Sequence, residues 1–110
     1  MMLLTKANKT ALLPLGGSEN VKDPVVQVKL FTPDSGWTWY VIEYDGEDRM
    51  FGYVESTYGG ELGYFSITEI QAIRGPFGLP VERDRWFTPA PLSSVKEELS
   101  RHEELNEVAL

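Results

Sequence analysis

Carboxylates are the side chains dense enough here to do chemistry. The 110 residues hold 17 Asp and Glu against 10 Lys and Arg, a formal net charge of -7. The run "EYDGEDR" at 43–49 gathers Glu43, Asp45, Glu47 and Asp48. Hard cations take clustered carboxylates, but this spacing does not match the calcium-binding loop. It reads instead as a hairpin tip with solvated charges. A second group, "VERDRW" at 81–86, alternates Glu82, Arg83, Asp84 and Arg85 in sign before Trp86. Glu82 and Asp84 could act as acid and base. No nucleophile or cofactor loop accompanies them. Ion pairs pinning an irregular segment to a sheet, or part of a recognition surface, fit the pattern as well.

His102 is the one histidine, and there is no cysteine. Disulfides, thiolate metal sites and cysteine nucleophiles are therefore excluded. A Ser-His-Asp triad has one candidate base, placed on an acidic helix where a surface histidine is expected. The G-x-x-x-x-G-K-[ST], G-x-G-x-x-G and H-E-x-x-H patterns are missing. No metal or cofactor is expected.

The aromatic residues invite a different chemistry. All but Phe77, Trp86 and Phe87 fall between Phe31 and Phe65. A sheet face that stacks bases needs a positive groove beside its rings. This span instead carries Asp34, Glu43, Asp45, Glu47, Asp48, Glu55 and Glu61, against Arg49 within it and Lys29 just before it. Phosphate would be repelled, so the rings read mainly as core. Trp37 and Trp39, on one strand face, remain candidate anchors for a protein partner. The charge also argues against an anionic membrane surface and permits a basic protein partner.

The elements that position these residues follow from pattern. Thr5 caps a short helix ending at Ala11 or Leu12, with Leu3, Leu4, Leu12 and Leu13 inward and Pro14 as its stop. Residues 25–32 form a strand with Val26, Val28 and Leu30 on one face. "PDSG" at 33–36 is a turn. Residues 37–45 form a strand in which Trp37, Trp39, Val41 and Glu43 alternate with Thr38, Tyr40, Ile42 and Tyr44. Large side chains on both faces imply a strand covered on both sides. Asp45-Gly46 is a hairpin signal, and strands follow at 49–56 and 61–67. Gly52 and Gly63 mark a bulge or a close neighbour, a tryptophan ring being one candidate. Ser66 with Glu69, and Ser94 with Glu97, are capping boxes for a short helix and for a last helix over 92–108. In that last helix Leu92, Val95, Leu99 and His102 recur at helical spacing.

The expected architecture is one α+β domain. It has a four-stranded antiparallel meander, short N-terminal and central helices, and a C-terminal helix, with the helices on one face. The core covers about 3–99, and 92–110 forms an acidic helix or tail. Residues 75–91 cross the domain irregularly. No stretch reaches the length of a membrane span, and Lys6 and Lys9 interrupt any signal-peptide core. The expected location is the cytoplasm.

Five segments, "LLTKANKTALLPL", "VKLFTPDSGWTWYVIEYD", "FGYV", "ELGYFSITEI" and "GLPVERDRWFTPAPL", recur in an order and spacing that resemble a small bacterial domain-of-unknown-function family. Its members look like accessory proteins of plasmids, prophages and integrative elements. The resemblance covers about Leu3 to Leu99 and transfers no catalytic residue. It implies a cytoplasmic role on mobile DNA, useful in conflict with host defences. Together with the acidity it suggests a non-enzymatic protein that contacts, and inhibits, a nucleic-acid-handling defence complex of anti-CRISPR or anti-restriction type. The clusters at 43–48 and 97–107 would stand in for phosphates. The expected contact residues are Trp37, Trp39, Glu43, Asp45, Glu47, Asp48, Glu82, Asp84, Arg85 and Trp86. A regulatory interaction module without inhibitory action is the alternative. A small carboxylate-based hydrolase follows behind it.

Overall fold

In the computed structural model, residues 2–109 are described, with side chains through Leu105. Met1, Leu110 and the side chain of Glu107, part of the expected acidic tail, lie outside that description.

Thr5 begins the first element as expected. Its side chain accepts from the Asn8 N–H, and the Asn8 side chain accepts from the Thr5 N–H. This reciprocal cap starts helix α1, Lys6–Ala11. Leu3, Leu4 and Leu12 are buried around it, while Leu13 is 39% exposed.

The chain then enters a strand broken at Gln27 into β1, Val25–Val26, and β2, Val28–Phe31. Next come β3, Thr38–Tyr44, β4, Arg49–Ser56, and β5, Gly59–Ser66. Helix α2, Ile67–Ala72, follows directly. After a looped segment come β6, Glu82–Arg83, β7, Ala90–Pro91, and helix α3, Leu92–Ala109.

The sheet is antiparallel and five-stranded, in the order β5-β4-β3-β2-β6. The expected meander is its first four strands. The fifth is β6, which pairs Leu30 with Arg83 and Phe31 with Glu82. The crossing segment is thus less irregular than expected: it closes the sheet edge. A second, two-stranded ribbon joins β1 to β7.

Two clusters sandwich the sheet. Trp39 and Val41 of β3 face Val28, Leu30, Met50, Ile67, Ile70 and the N-terminal leucines. Tyr40 and Ile42 face Val26, Leu92 and Val95. β3 is therefore covered on both sides, as its composition implies. The helices do not share one face: α1 and α2 lie with the first cluster and α3 with the second.

Two irregularities alter the expected alternation. Val26 joins the α3 side rather than the side of Val28 and Leu30. The strand breaks between them, where Gln27 N–H donates to the Val41 carbonyl and Val28 is paired with Val41. On β3, Val41 pairs with Gly52 but Glu43 with Phe51, which leaves Ile42 as the extra residue of a bulge. Past the bulge, Tyr44 packs with Trp39 and Val41. Glu43 is thereby taken off their face. Gly52 sits opposite this bulge, where a Cβ would collide with the Tyr40 carbonyl. Its close neighbour is β3 backbone rather than a tryptophan ring.

Candidate partner-binding surface

The acidic hairpin was expected to hold its charges in water. Glu43 departs from that. It is 2% exposed: the bulge puts it off the Trp39 face, and the loop at Gly16 and Ser18 covers it there. Its carboxylate accepts from the Gly16 N–H at 2.8 Å, the Ser18 N–H at 2.9 Å and the Ser18 hydroxyl. Burial opposes the charged form. The hydrogen bonds from Ser18 and Gly16 outweigh it and hold the carboxyl below its usual range. Glu43 fastens the 14–21 loop to the sheet and presents no charge to a partner.

Asp45 and Asp48 are also committed to this chain's own backbone. Asp45 Oδ1 accepts from the N–H groups of Glu47, Asp48 and Arg49, which organises the turn around Gly46, where φ is +88°. Asp48 accepts from the Ser66 hydroxyl at 2.7 Å and the Thr68 N–H at 2.9 Å. Hydrogen bonding holds both carboxyls below their usual range, from Asp48 and Glu47 N–H for Asp45, and from Thr68 and Ser66 for Asp48. Ser66 caps α2, accepting from the Glu69 N–H, which is one half of the expected box; no return bond from the Ser66 N–H to the Glu69 side chain is found among the described residues. Asp48, from another strand, anchors that capping serine. A similar substitution occurs at α3. Its N-terminal Ser93 N–H and hydroxyl are held by Asp23 rather than by the expected Ser94–Glu97 box.

The tryptophan pair divides. Trp37 and Trp39 are stacked with centroids 6.3 Å apart. Trp39 is 6% exposed and belongs to the core, so it is not an anchor; Trp37 is 44% exposed. Trp37 edges a shallow groove of ≈ 340 Å³ with Ile73 and Pro76.

The "VERDRW" segment is pinned to the sheet, as one of its two readings expected. Glu82 and Arg83 form β6 at the sheet edge. Arg83 donates to the Met2 and Leu3 carbonyls. Asp84 pairs with Lys29 at 3.6 Å. These contacts pin the segment. Beyond them Arg85 is exposed and Trp86 is 93% exposed.

Trp86 and Asp84 open onto a second groove of ≈ 380 Å³ between β3 and α3. Tyr40, Phe87, Glu98 and Leu99 also line it. The Tyr40 and Phe87 rings lie 6.2 Å apart at 55°. Burial pushes the Tyr40 hydroxyl up to about 12, and the negative charges of Glu55, Glu98 and Asp84 add to it. The structure therefore brings Asp84 and Trp86 together and leaves Trp37 and the 43–48 turn elsewhere. Tyr40 and Glu98 were not anticipated. Glu98 lies three residues after Val95 on α3, a spacing that places it beside the helix's apolar stripe.

The family model described as "Protein of unknown function (DUF2958)" matches residues 2–105, and the chain belongs to that family. No curated protein and no solved structure matches it.

Proposed function

We propose that this chain is a non-enzymatic accessory protein of mobile genetic elements that acts by contact with a protein partner. The partner class its acidity fits is a nucleic-acid-handling complex of host defence. One observation supports contact above all. Large aromatic side chains stand in solvent on anchored backbone. Trp86 and Tyr58 are each 93% exposed and Phe77 is 83% exposed. The backbone N–H of each donates to a fixed side chain: Asp84 for Trp86, Ser56 for Tyr58 and Asp34 for Phe77. Rings presented this way are typical interface anchors, because they bury much area and lose little entropy.

The net charge of -7 supports a basic partner. Nucleic-acid grooves are lined by Lys and Arg, and an acidic protein seated there would exclude phosphate. Glu43, Asp45 and Asp48 do not contribute, since their oxygens serve the fold. Of the two expected clusters, the available acid is exposed Glu47 and the α3 carboxylates Glu97, Glu98, Glu103 and Glu104. A hydrolase would need two carboxylates converging on one cleft. Of the acids marked by the sequence, Glu43 and Asp84 line different grooves, while Asp84 shares its groove with Glu98 and no serine–histidine–carboxylate arrangement was marked there.

The test is affinity capture from a bacterial host at low and moderate salt. It compares the natural chain with a variant carrying Trp86→Ser, Tyr58→Ser and Phe77→Ser. The expected result is a stoichiometric partner that weakens with salt and is lost with the three rings. An identical catch from both proteins, or no partner at either salt, would overturn the reading. Retained nuclease activity of the captured complex would favour the regulatory module without inhibition.

A further inference from the structure

The groove between β3 and α3 has features that an apolar cleft does not need. Tyr40 is 5% exposed and lines it. Among the described residues no hydrogen bond reaches the Tyr40 hydroxyl, although it is not sealed from solvent. A solvent-accessible hydroxyl with no partner in the protein is free to bond a group that enters the groove. The surroundings specify that group. Lys29–Asp84 is the one ion pair among the described residues, so Glu98, which lines the groove with Lys29 and His102, is in none. Burial, with the charges of Glu55, Glu98 and Asp84, keeps the Tyr40 hydroxyl protonated, and Asp84 and Glu98 line the groove with it. The walls are aromatic: Phe87 stands against Tyr40, and Trp86 rises exposed at the rim. The Lys29 ammonium lies 5.9 Å from the centre of the Tyr40 ring, held by its pairing with Asp84.

We infer that this groove receives an arginine side chain of the protein partner. Trp86 stacks on the guanidinium, and the Tyr40 hydroxyl and Glu98 carboxylate accept its N–H donors. A guanidinium suits the site better than an ammonium. It is planar, stacks on rings, and offers donors in a fixed fork that can reach two acceptors at once. A phosphate or carboxylate ligand would meet Glu98 and Asp84 and be repelled. This inference rests on the protein-contact reading and names the chemistry of that contact.

The experiment uses the ¹⁵N-labelled full chain titrated with acetyl-Gly-Arg-Gly-amide and with its lysine counterpart. Saturable shifts are expected at the Trp86 indole N–H and at the backbone of 84–88 and 95–102. The arginine peptide should bind about fivefold more tightly than the lysine peptide, the size of one stacking contact. Tyr40→Phe and Glu98→Gln should each weaken the arginine peptide by about threefold or more, the size of one hydrogen bond. Tyr40→Phe keeps the packed ring and Glu98 is exposed, so both variants fold; unchanged spectra away from the groove verify this. Equal affinities across the variants would overturn the inference. So would shifts spread evenly to the turn at 45–48. Repeating the capture with Tyr40→Phe/Glu98→Gln separates the two readings. A partner still held in full places the contact elsewhere and overturns the groove alone. Peptide binding in the groove with no partner captured upholds the site and overturns the protein-contact function.

Discussion

Glu43 shows how one residue's role turns on one backbone irregularity. In an even strand it would share the face of Trp39; the bulge at Ile42 moves it beside Gly16 and Ser18. There it is a buried anion satisfied by three donors. Its folded pKa lies below the ordinary 4.5, so ionised Glu43 stabilises the fold above that value. The contribution disappears as pH falls through the folded value. Glu43→Gln should cost about 1–3 kcal/mol at pH 7, since a neutral amide leaves part of the donor set unmatched. Its stability should also change less than the natural chain's between pH 7 and 3. Urea unfolding of both proteins across that range measures the difference. Asp23, Asp45 and Asp48 titrate in both proteins and cancel in the comparison. Parallel pH curves would show that Glu43 does not hold its charge in the fold.

At the scale of elements, β3 is the central strand of the sheet, and Gly52 of β4 lies directly against its backbone. A Cβ there would press into the Tyr40 carbonyl and the Val41 backbone, and neither can rotate away. Gly63, on the neighbouring strand and paired with Gly52, meets nothing within 4 Å. Gly52→Ala should therefore destabilise the chain by about 2–4 kcal/mol, whereas Gly63→Ala should stay within about 0.5 kcal/mol. Equilibrium urea unfolding distinguishes them. The α2 cap offers a second measurement. Ser66→Ala removes the acceptor of the Glu69 N–H and should cost about 1 kcal/mol. These elements also show what was readable from residue pattern. The strands at 28–31, 38–44 and 49–56, the Thr5 and Ser66 caps and the Asp45 turn all follow from local rules. β6 was not readable, because two residues carry no period and their pairing with β2 bridges a long stretch of chain. The Ile42 bulge was equally hidden, since period-two reasoning assumes that no residue is added. The groove depends on β6, which leads into Asp84, and on α3 packing over Tyr40. Of its functional parts, local pattern marked only Asp84 and Trp86.

At the scale of the whole molecule, one sheet serves two cores. The larger holds Leu30, Val41, Met50 and Ile70, with the N-terminal leucines over it. The smaller holds Val26, Tyr40 and Ile42 beneath Leu92 and Val95. Alternate residues of β3 enter each core, so neither can loosen without disturbing the strand that supports the other. That coupling predicts a single cooperative transition. Ile42 is fully buried in the smaller core and Met50 in the larger. Ile42→Ala and Met50→Ala should each lower the stability of the whole chain by about 2–5 kcal/mol. Tryptophan fluorescence reports the sheet, and far-ultraviolet circular dichroism is weighted toward α3. The two signals should still coincide in both variants. If Ile42→Ala instead melted the helical signal at lower urea than the fluorescence, α3 would be a separable layer. The groove would then open and close with that layer, and arginine binding would stabilise α3 selectively. Coincident transitions mean that the groove is preformed, with Tyr40 held by the same cooperative unit as the rest of the sheet. Binding then carries little ordering cost.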